Sequence, residues 1–312
     1  MNQQTSFAKQ VKEEIVSKKF SNERLLAILS SFTKSTGSVL IRNKKEFIVL
    51  KIENNKIAKF IYETIQKLFN ITPSISYLKK KNLSKNTCYH ITLSNSSFLD
   101  KLHINFLENK IDKFFTKNKE IMGGYLTGAF LASGSVNSPR SSNYHLEMSF
   151  LNENYAKWFQ KLMLKYKDTN LASKIIKRRD KYVVYIKRSD RIADFLILIG
   201  ATDSCLYFEN TRVDRDFSNV TNRLQNLDTA NYQKTIKASK NDIKIIKKLI
   251  KVKGLMNLGS EKVVNLAELR IKHPEATLDE LAELLSKALR VEVSKSNVNH
   301  ILRSLRVEGR NL

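Results

Sequence analysis

Apolar residues recur along this chain with two periods, and the period switches in a regular order. Helical spacing marks residues 24–36, after which two β-rich runs, Ser38–Arg42 and Glu46–Ile52, flank the polar turn Asn43-Lys44-Lys45. An amphipathic helix over Lys56–Phe69 follows, then strands over Ser74–Lys80 and Thr87–Ser94, then a helix from Phe98 to Phe106. This order, αββαββα, recurs from Ile121. The second copy has a helix to Ser133, strands near Ser135 and over Asn143–Phe150, a helix over Glu153–Tyr166, strands over Ala172–Arg179 and Lys181–Arg188, and a helix from Arg191 to Ile199.

The two lead helices align at a constant offset of 97, with Ala27 to Val39 matching Gly124 to Val136 and Gly37 matching Gly134. Small residues fall on every fourth position in both, at Ala27, Ser31 and Ser35 and at Gly124, Gly128 and Ala132. Each helix therefore has one flat stripe, and two flat stripes permit close backbone contact. Residues 20–200 read as two pseudo-symmetric halves, about 20–110 and 120–200, preceded by an amphipathic helix within residues 1–19.

Beyond about residue 255 the pattern becomes purely helical. Val263, Val264, Leu266, Ala267 and Leu269 give Glu261–Lys272 an apolar face, and His273-Pro274 stops it. Thr277-Leu278-Asp279-Glu280 is a capping box for a second helix, Leu278 to Leu289. A third begins near Ser294 or Ser296 with Val298, Ile301, Leu302 and Leu305 facing inward. That leaves Lys295, Ser296, Asn297, Asn299, His300, Arg303 and Arg306 on the outward face, the side chains that read base edges and phosphates. A helix-turn-helix over 255–312 is the natural assignment. The long connection Arg290-Val291-Glu292-Val293 leaves a protein-binding helical bundle as the alternative. His300 has no partner at ligand spacing, which favours a contact residue over a metal ligand. Residues 201–254, including the polar run Asn222 to Thr235 without Gly or Pro, form a helical linker. The fold class is thus α+β: a duplicated αββαββα domain, a helical linker and an all-α C-terminal domain.

Charge narrows the partners. The 312 residues carry a formal net charge of +25, which attracts polyanions and makes double-stranded DNA the leading partner. A Lys-, Asn- and Ile-rich composition set by an AT-rich genome is the competing explanation of that excess. Cys88 and Cys205 are too few and too far apart for a disulfide framework or a CxxC site, so both are expected to be reduced and structural. Met1 to Lys19 lacks an apolar core of signal-peptide length, and the longest purely apolar run elsewhere, Phe195 to Ile199, cannot span a bilayer. A soluble, cytoplasmic, nucleoid-associated protein is expected.

Leu126-Thr127-Gly128-Ala129-Phe130-Leu131-Ala132-Ser133-Gly134-Ser135 resembles the LAGLIDADG homing-endonuclease motif. That resemblance implies a pair of packed lead helices beneath two sheets that form a saddle over DNA. It also implies an acid just before each glycine to hold divalent metal. Here those positions are Thr36 and Ser133, and the nearest upstream acids, Glu23 and Glu120, lie about 13 residues earlier, roughly 20 Å away at helical rise. The expectation is a protein without nuclease activity, metal or cofactor. The saddle could still offer phosphate contacts from Arg140 and Asn143 in the polar segment 137–144 and from Lys177, Arg178, Arg179, Lys187 and Arg188 on the hairpin, although a solvated charged face explains the same pattern.

Gly134 to Glu147, Asn222 to Thr235 and Ser294 to His300 together resemble the WhiA family over essentially the whole chain. The resemblance implies a bacterial DNA-binding protein. In it a degenerate LAGLIDADG domain is tethered to a helix-turn-helix resembling a sigma-factor reader. The family is linked to transcriptional control, sporulation, cell division and chromosome segregation. The DNA-reading role falls on Ser294, Lys295, Ser296, Asn297, Val298, Asn299 and His300, with Thr277 at the preceding cap. Leu131 and Ser133 depart from the motif of active nucleases, and the Lys-rich composition favours division or gene regulation over sporulation. RNA polymerase or a division protein is the alternative partner, met through the vacant saddle, and the oligomeric state is left open.

Overall fold

A computed structural model describes residues 5–79, 87–95, 97–166 and 171–311, and the Lys80 end of the expected third strand lies outside them. The chain divides into two compact units, residues 1–215 and 216–312.

The first unit opens with helix α1 (Phe7–Ser17), capped by Ser6 and burying Phe7, Val11 and Ile15. Helix α2 (Asn22–Thr36) then leads the first half, followed by β1 (Gly37–Arg42), β2 (Lys45–Ile52), α3 (Asn55–Phe69), β3 (Ser74–Lys79), β4 (Thr87–Ser94) and the single turn α4 (Phe98–Lys101). The second half repeats the order with α5 (Lys119–Ser133), β5 (Gly134–Val136), β6 (Leu146–Phe150), α6 (Glu153–Lys165), β7 (Lys174–Arg178), β8 (Lys181–Ile186) and α7 (Ser189–Leu198). Each half folds into a four-stranded antiparallel sheet with the same strand order, β1-β2-β4-β3 and β5-β6-β8-β7. The duplication read from the sequence is the architecture of this unit.

The small-residue stripes are where the halves meet. A Cβ built on Gly124 would stand 2.7 Å from the Arg24 carbonyl oxygen and 3.1 Å from the Ala27 Cβ, and one on Gly128 would press still closer on the Ile28 carbonyl. Backbone thus meets backbone, and α5 is buried on nearly every face, from Ile121 through Leu131. Arg24 of α2 also joins the first half to α7 of the second by donating to the Leu198 carbonyl at 2.7 Å.

Three local expectations change. The first hairpin turn holds two residues, because Lys45 pairs with Arg42 and both Asn43 and Lys44 adopt positive φ, as a tight twisted hairpin requires. The helix expected over Phe98–Phe106 stops after one turn: His103 takes φ 53° and Ile104 N–H bonds back to the Leu99 carbonyl, an αL cap without glycine. Residues 143–145 lie outside β6, in a loop whose carbonyls at Pro139, Ser141 and Ser142 accept from the Arg215 guanidinium at 3.3, 2.6 and 3.2 Å.

Helix α8 (Thr202–Lys253) contributes residues to both units. Its first turn is capped by Glu14 of α1, whose carboxylate accepts from Asp203 N and Ser204 N, both at 2.8 Å. In the second unit α9 (Glu261–Lys272), α10 (Leu278–Leu289) and α11 (Lys295–Arg310) pack with Ile246 and Leu249 of α8 around Leu266, Leu281, Leu285, Val298, Leu302 and Leu305.

Candidate nucleic-acid interface

In the second unit the sequence places α11 by a chain of short-range devices. Thr277 closes the capping box of α10, accepting from Glu280 N at 3.2 Å while its own N–H donates to Glu280 Oε2 at 2.7 Å. Hydrogen bonds from Thr277, the backbone N–H first, hold the Glu280 carboxyl below its usual range. Thr277, expected among the DNA-contacting residues, is thus the N-cap of α10, as Ser294 is of α11. Arg290 ends α10 at φ 54°, buried Val293 pins the connection, and Val293 N–H donates to Ser286 Oγ at 2.9 Å. Ser294 then caps α11 by accepting from Asn297 N.

Val298, Ile301, Leu302 and Leu305 of α11 are buried, and Lys295, Ser296, Asn297, Asn299, His300 and Arg303 are exposed, so one face carries the core and the other carries donors and acceptors. No acid stands in the first turn of α11. Lys295 makes an exposed ion pair with Asp279 at 2.6 Å, joining the starts of α10 and α11. Arg306 departs from expectation. Its guanidinium turns inward to Asp242 of α8, with Nε 2.5 Å from Oδ1 and a terminal nitrogen 2.9 Å from Oδ2. Asp242 is only 2% exposed and also lies in the field of buried Arg270, which donates to the Ala276 carbonyl at 2.7 Å. The hydrogen bonds to Asp242 raise the Arg306 pKa, whereas burial lowers that of Arg270. Sequence spacing gave no sign of this triad, because Asp242 lies 64 residues from Arg306.

In the first unit, strand alternation sorts the hairpin residues. Arg178 faces away from the helices, on the side of Glu147 and Tyr185, and donates to Glu147 at 3.0 Å. Glu147 is also held by His145 at 2.8 Å, and the His145 ring stacks on Tyr185 at 5.5 Å. Lys187 lies 5.5 Å from the same Tyr185 ring. Lys177 points the other way, toward the Tyr182 ring at 5.8 Å and the Glu153 carboxylate. Lys177 is thus separated from Arg178 by the sheet, a one-residue consequence of the period of two. Arg188 forms a two-pronged pair with Asp190 at 3.1 and 2.7 Å. Arg179 at the hairpin turn and Arg140 and Asn143 in the 137–145 loop are exposed, and the Asn143 carbonyl accepts from the Asn137 amide at 3.2 Å. Lys181 of the same hairpin, and Lys174, which the sequence reading did not single out, join Arg178 on the outward face by register. Alternation along β7 and β8 was the signal that would have found them.

The equivalent face of the first sheet is different. By the same alternation it presents Ser38, Leu40, Phe47 and Val49 beside Arg42, Lys45, Lys51 and His90, and Leu40 and Leu78 are 49% and 60% exposed. At the ends of the lead helices the Thr36 hydroxyl donates to the Phe32 carbonyl at 2.8 Å. The Ser133 hydroxyl lies 3.5 Å from the Ala129 carbonyl and accepts from Ser149 N at 3.2 Å. Thr36 borders an open cleft of about 1050 Å³ whose charged lining is Lys9, Lys12, Lys51 and Glu53. Lys12 is partly buried there, 5.7 Å from the Phe130 ring centroid, and desolvation pushes its ammonium down to about 8. No group of three or more His, Cys, Asp or Glu able to hold a metal ion occurs among the described residues. Nor, among them, is any helix long and apolar enough to cross a membrane.

Two matched sheets on a tightly crossed helix pair, followed by helices whose last member is N-capped and polar on its outer face, define a LAGLIDADG-like duplication joined to a helix-turn-helix domain. Three family models match in sequence order: the WhiA N-terminal LAGLIDADG-like domain over residues 22–105, the WhiA LAGLIDADG-like domain over 122–218 and the WhiA C-terminal HTH domain over 221–307. The "Probable cell division protein WhiA" of Staphylococcus aureus strain JH9 is 36% identical over 305 residues, spanning 96% of this chain and 95% of that protein. The chain belongs to the WhiA family. Full-length DUF199/WhiA from Thermotoga maritima shares the fold across 99% of both chains, with a TM-score of 0.60 at 24% identity. The N-terminal LAGLIDADG domain of DUF199/WhiA matches 63% of this chain and 91% of its own, with a TM-score of 0.51 at 25% identity.

Proposed function

We propose that this protein is a sequence-reading, non-enzymatic DNA-binding regulator that acts in cell division and chromosome segregation, working at the nucleoid. The observation that carries the reading is α11: a helix whose buried seam fixes its orientation and whose opposite face exposes Ser296, Asn297, Asn299, His300 and Arg303 after a capped, acid-free first turn. Lys295 and Ser294 add phosphate contacts at that end, where the helix dipole favours anions. Arg306 is left out, because its guanidinium is committed to Asp242. The name borne by the staphylococcal relatives supports the link to division. In the first unit, Arg140, Arg179, Lys187 and the Lys174, Arg178 and Lys181 face supply further phosphate contacts.

The residues at the lead-helix ends do not fit a divalent cation. Mg²⁺ demands anionic oxygens, whereas Thr36 and Ser133 are neutral hydroxyls turned to backbone partners, and Lys12 brings positive charge to the Thr36 side. Thr36 and Ser133 stand where a nuclease of this fold would need its acids, and no cleavage is expected.

Arg303→Ala tests the reading on specific and scrambled duplexes across a salt series. Loss of about 1–3 kcal/mol confined to the specific duplex assigns Arg303 to a base, and an even loss with a shallower salt slope assigns it to phosphate. Unchanged binding to both duplexes would remove Arg303 from the interface. A second reading, a scaffold for RNA polymerase or a division protein, draws on the apolar outward face of the first sheet around Leu40 and Leu78. It predicts partner capture that survives deletion of residues 255–312.

A further inference from the structure

Helix α8 crosses the region between residues 216 and 234 almost without tertiary cover, and only Thr221 there is even partly shielded. Helices in proteins draw most of their stability from tertiary packing, which this stretch lacks. Its apolar residues are nonetheless not scattered. Phe217, Val220, Leu224 and Leu227 follow spacings of three, four and three residues and are 74%, 54%, 56% and 55% exposed. At 100° per residue these four and Asn231 fall within an arc of about 80°, a stripe narrower than the face a helix turns to a globular core.

We infer that this stripe pairs with the same stripe of a second copy of the chain, in a parallel, in-register two-stranded coiled coil. Three features of the segment select that occupant. The 3.5-residue repeat is the spacing that keeps a seam facing an equivalent helix as the two supercoil. With Phe217, Leu224 and Asn231 at the first core position of each heptad and Val220 and Leu227 at the second, the seam closes on an asparagine. A buried asparagine pair satisfies itself when two copies align in register, and it penalises shifted alignments. In that register Arg223 of one copy flanks Asp228 of the other, twice per pair by symmetry, so the charges beside the seam are complementary.

The seam from Phe217 to Asn231 is about 21 Å long and buries less than the roughly 1,200 Å² of a stable specific interface. Pairing in the free protein therefore belongs at tens of micromolar or weaker, on the order expected of a small interface. Two copies brought onto one polymer would pair more readily through effective concentration.

The test uses the full chain without DNA, with Cys88→Ser and Cys205→Ala as the cysteine-free parent. Leu227→Cys and Asn222→Cys are compared at 100 μM in a glutathione redox buffer on non-reducing gels. In-register pairing juxtaposes the two Leu227 positions and separates the Asn222 positions, so covalent dimer from Leu227→Cys should exceed that from Asn222→Cys at least fivefold. Adding Leu224→Glu, at an exposed site that the fold does not depend on, should remove the excess. Sedimentation equilibrium of the unmodified chain should show a weight-average mass that rises with concentration, and Leu224→Glu should hold it at the 36.0 kDa monomer. Equal crosslinking at the two sites, or an excess untouched by Leu224→Glu, would overturn the inference.

Discussion

Replacing Asp242 with alanine removes the anion that holds two guanidinium groups beneath α11. Asp242 is 2% exposed and receives two hydrogen bonds from Arg306, and buried Arg270 lies within its field. Deleting one member of a buried pair leaves the other charge desolvated and unmatched, which costs about 3–5 kcal/mol. Here the penalty is compounded because Arg306 and Arg270 repel one another once the carboxylate is gone. A loss of that size is a large share of the roughly 5–15 kcal/mol that stabilises a domain, and it falls on the contact between α8 and α11. Hydrogen exchange of the α11 amides in the full chain, where opening is at equilibrium, reads it directly. Exchange at Leu302 and Leu305 should accelerate by about a hundredfold or more in Asp242→Ala, since each 1.4 kcal/mol is a factor of ten. Asp242→Leu combined with Arg306→Met should recover the part of the protection lost through Arg306 and no more, because Arg270 keeps its bond to the Ala276 carbonyl but stays buried without its counter-charge. Acceleration below fivefold in Asp242→Ala would refute the claim that this triad docks α11.

Two further outcomes concern the first unit and can be followed in urea by the fluorescence of Trp158, the chain's single tryptophan. Gly128→Val should destabilise by about 1–3 kcal/mol or more, because the new side chain meets the Ile28 backbone with no flexible neighbour to yield; a neutral result would mean that α2 and α5 are not in close contact. Lys12→Met should stabilise at pH 7 by at most about 3 kcal/mol, the ceiling set by the fall of the ammonium from 10.5 to about 8. The sign follows from proton counts: between pH 8 and 10.5 the unfolded chain holds the Lys12 proton and the folded chain does not, so parental stability gains on the variant as pH rises and the difference closes above 10.5. A gap between parent and variant that is independent of pH would show that Lys12 is not desolvated.

The lead-helix stripes were legible because four-residue periodicity and a constant offset are local signals, and close packing needs nothing beyond small side chains. The three C-terminal helices were legible for a similar reason: Pro274, the Thr277 box and the Ser294 cap lie in sequence beside the helices they delimit. Arg306 was misplaced because helical phase assigns a residue to a face but does not reveal a distant carboxylate that bends a long side chain inward. Arg178 and Lys177 were grouped as one basic cluster because charge was read along the chain, whereas a strand sends neighbours to opposite sides. The loop over 137–145 resisted prediction since the group that holds it, Arg215, arrives more than seventy residues later. The His103 turn ended α4 through backbone geometry that nothing in residues 98–106 announces.

The backbone contact between α2 and α5 also has a consequence in time. Helix α2 is complete when Thr36 has been added, but its partner stripe ends only at Ser133. At about 5–20 residues per second the nascent chain spends roughly 5–20 s with that surface uncovered. During that interval Ala27, Ile28, Ser31 and Phe32 have only the first half of the unit to shelter them. The growing chain therefore passes through a stage at which a chaperone, the ribosome surface or a second nascent copy competes for the stripe that Gly124 and Gly128 are built to fill.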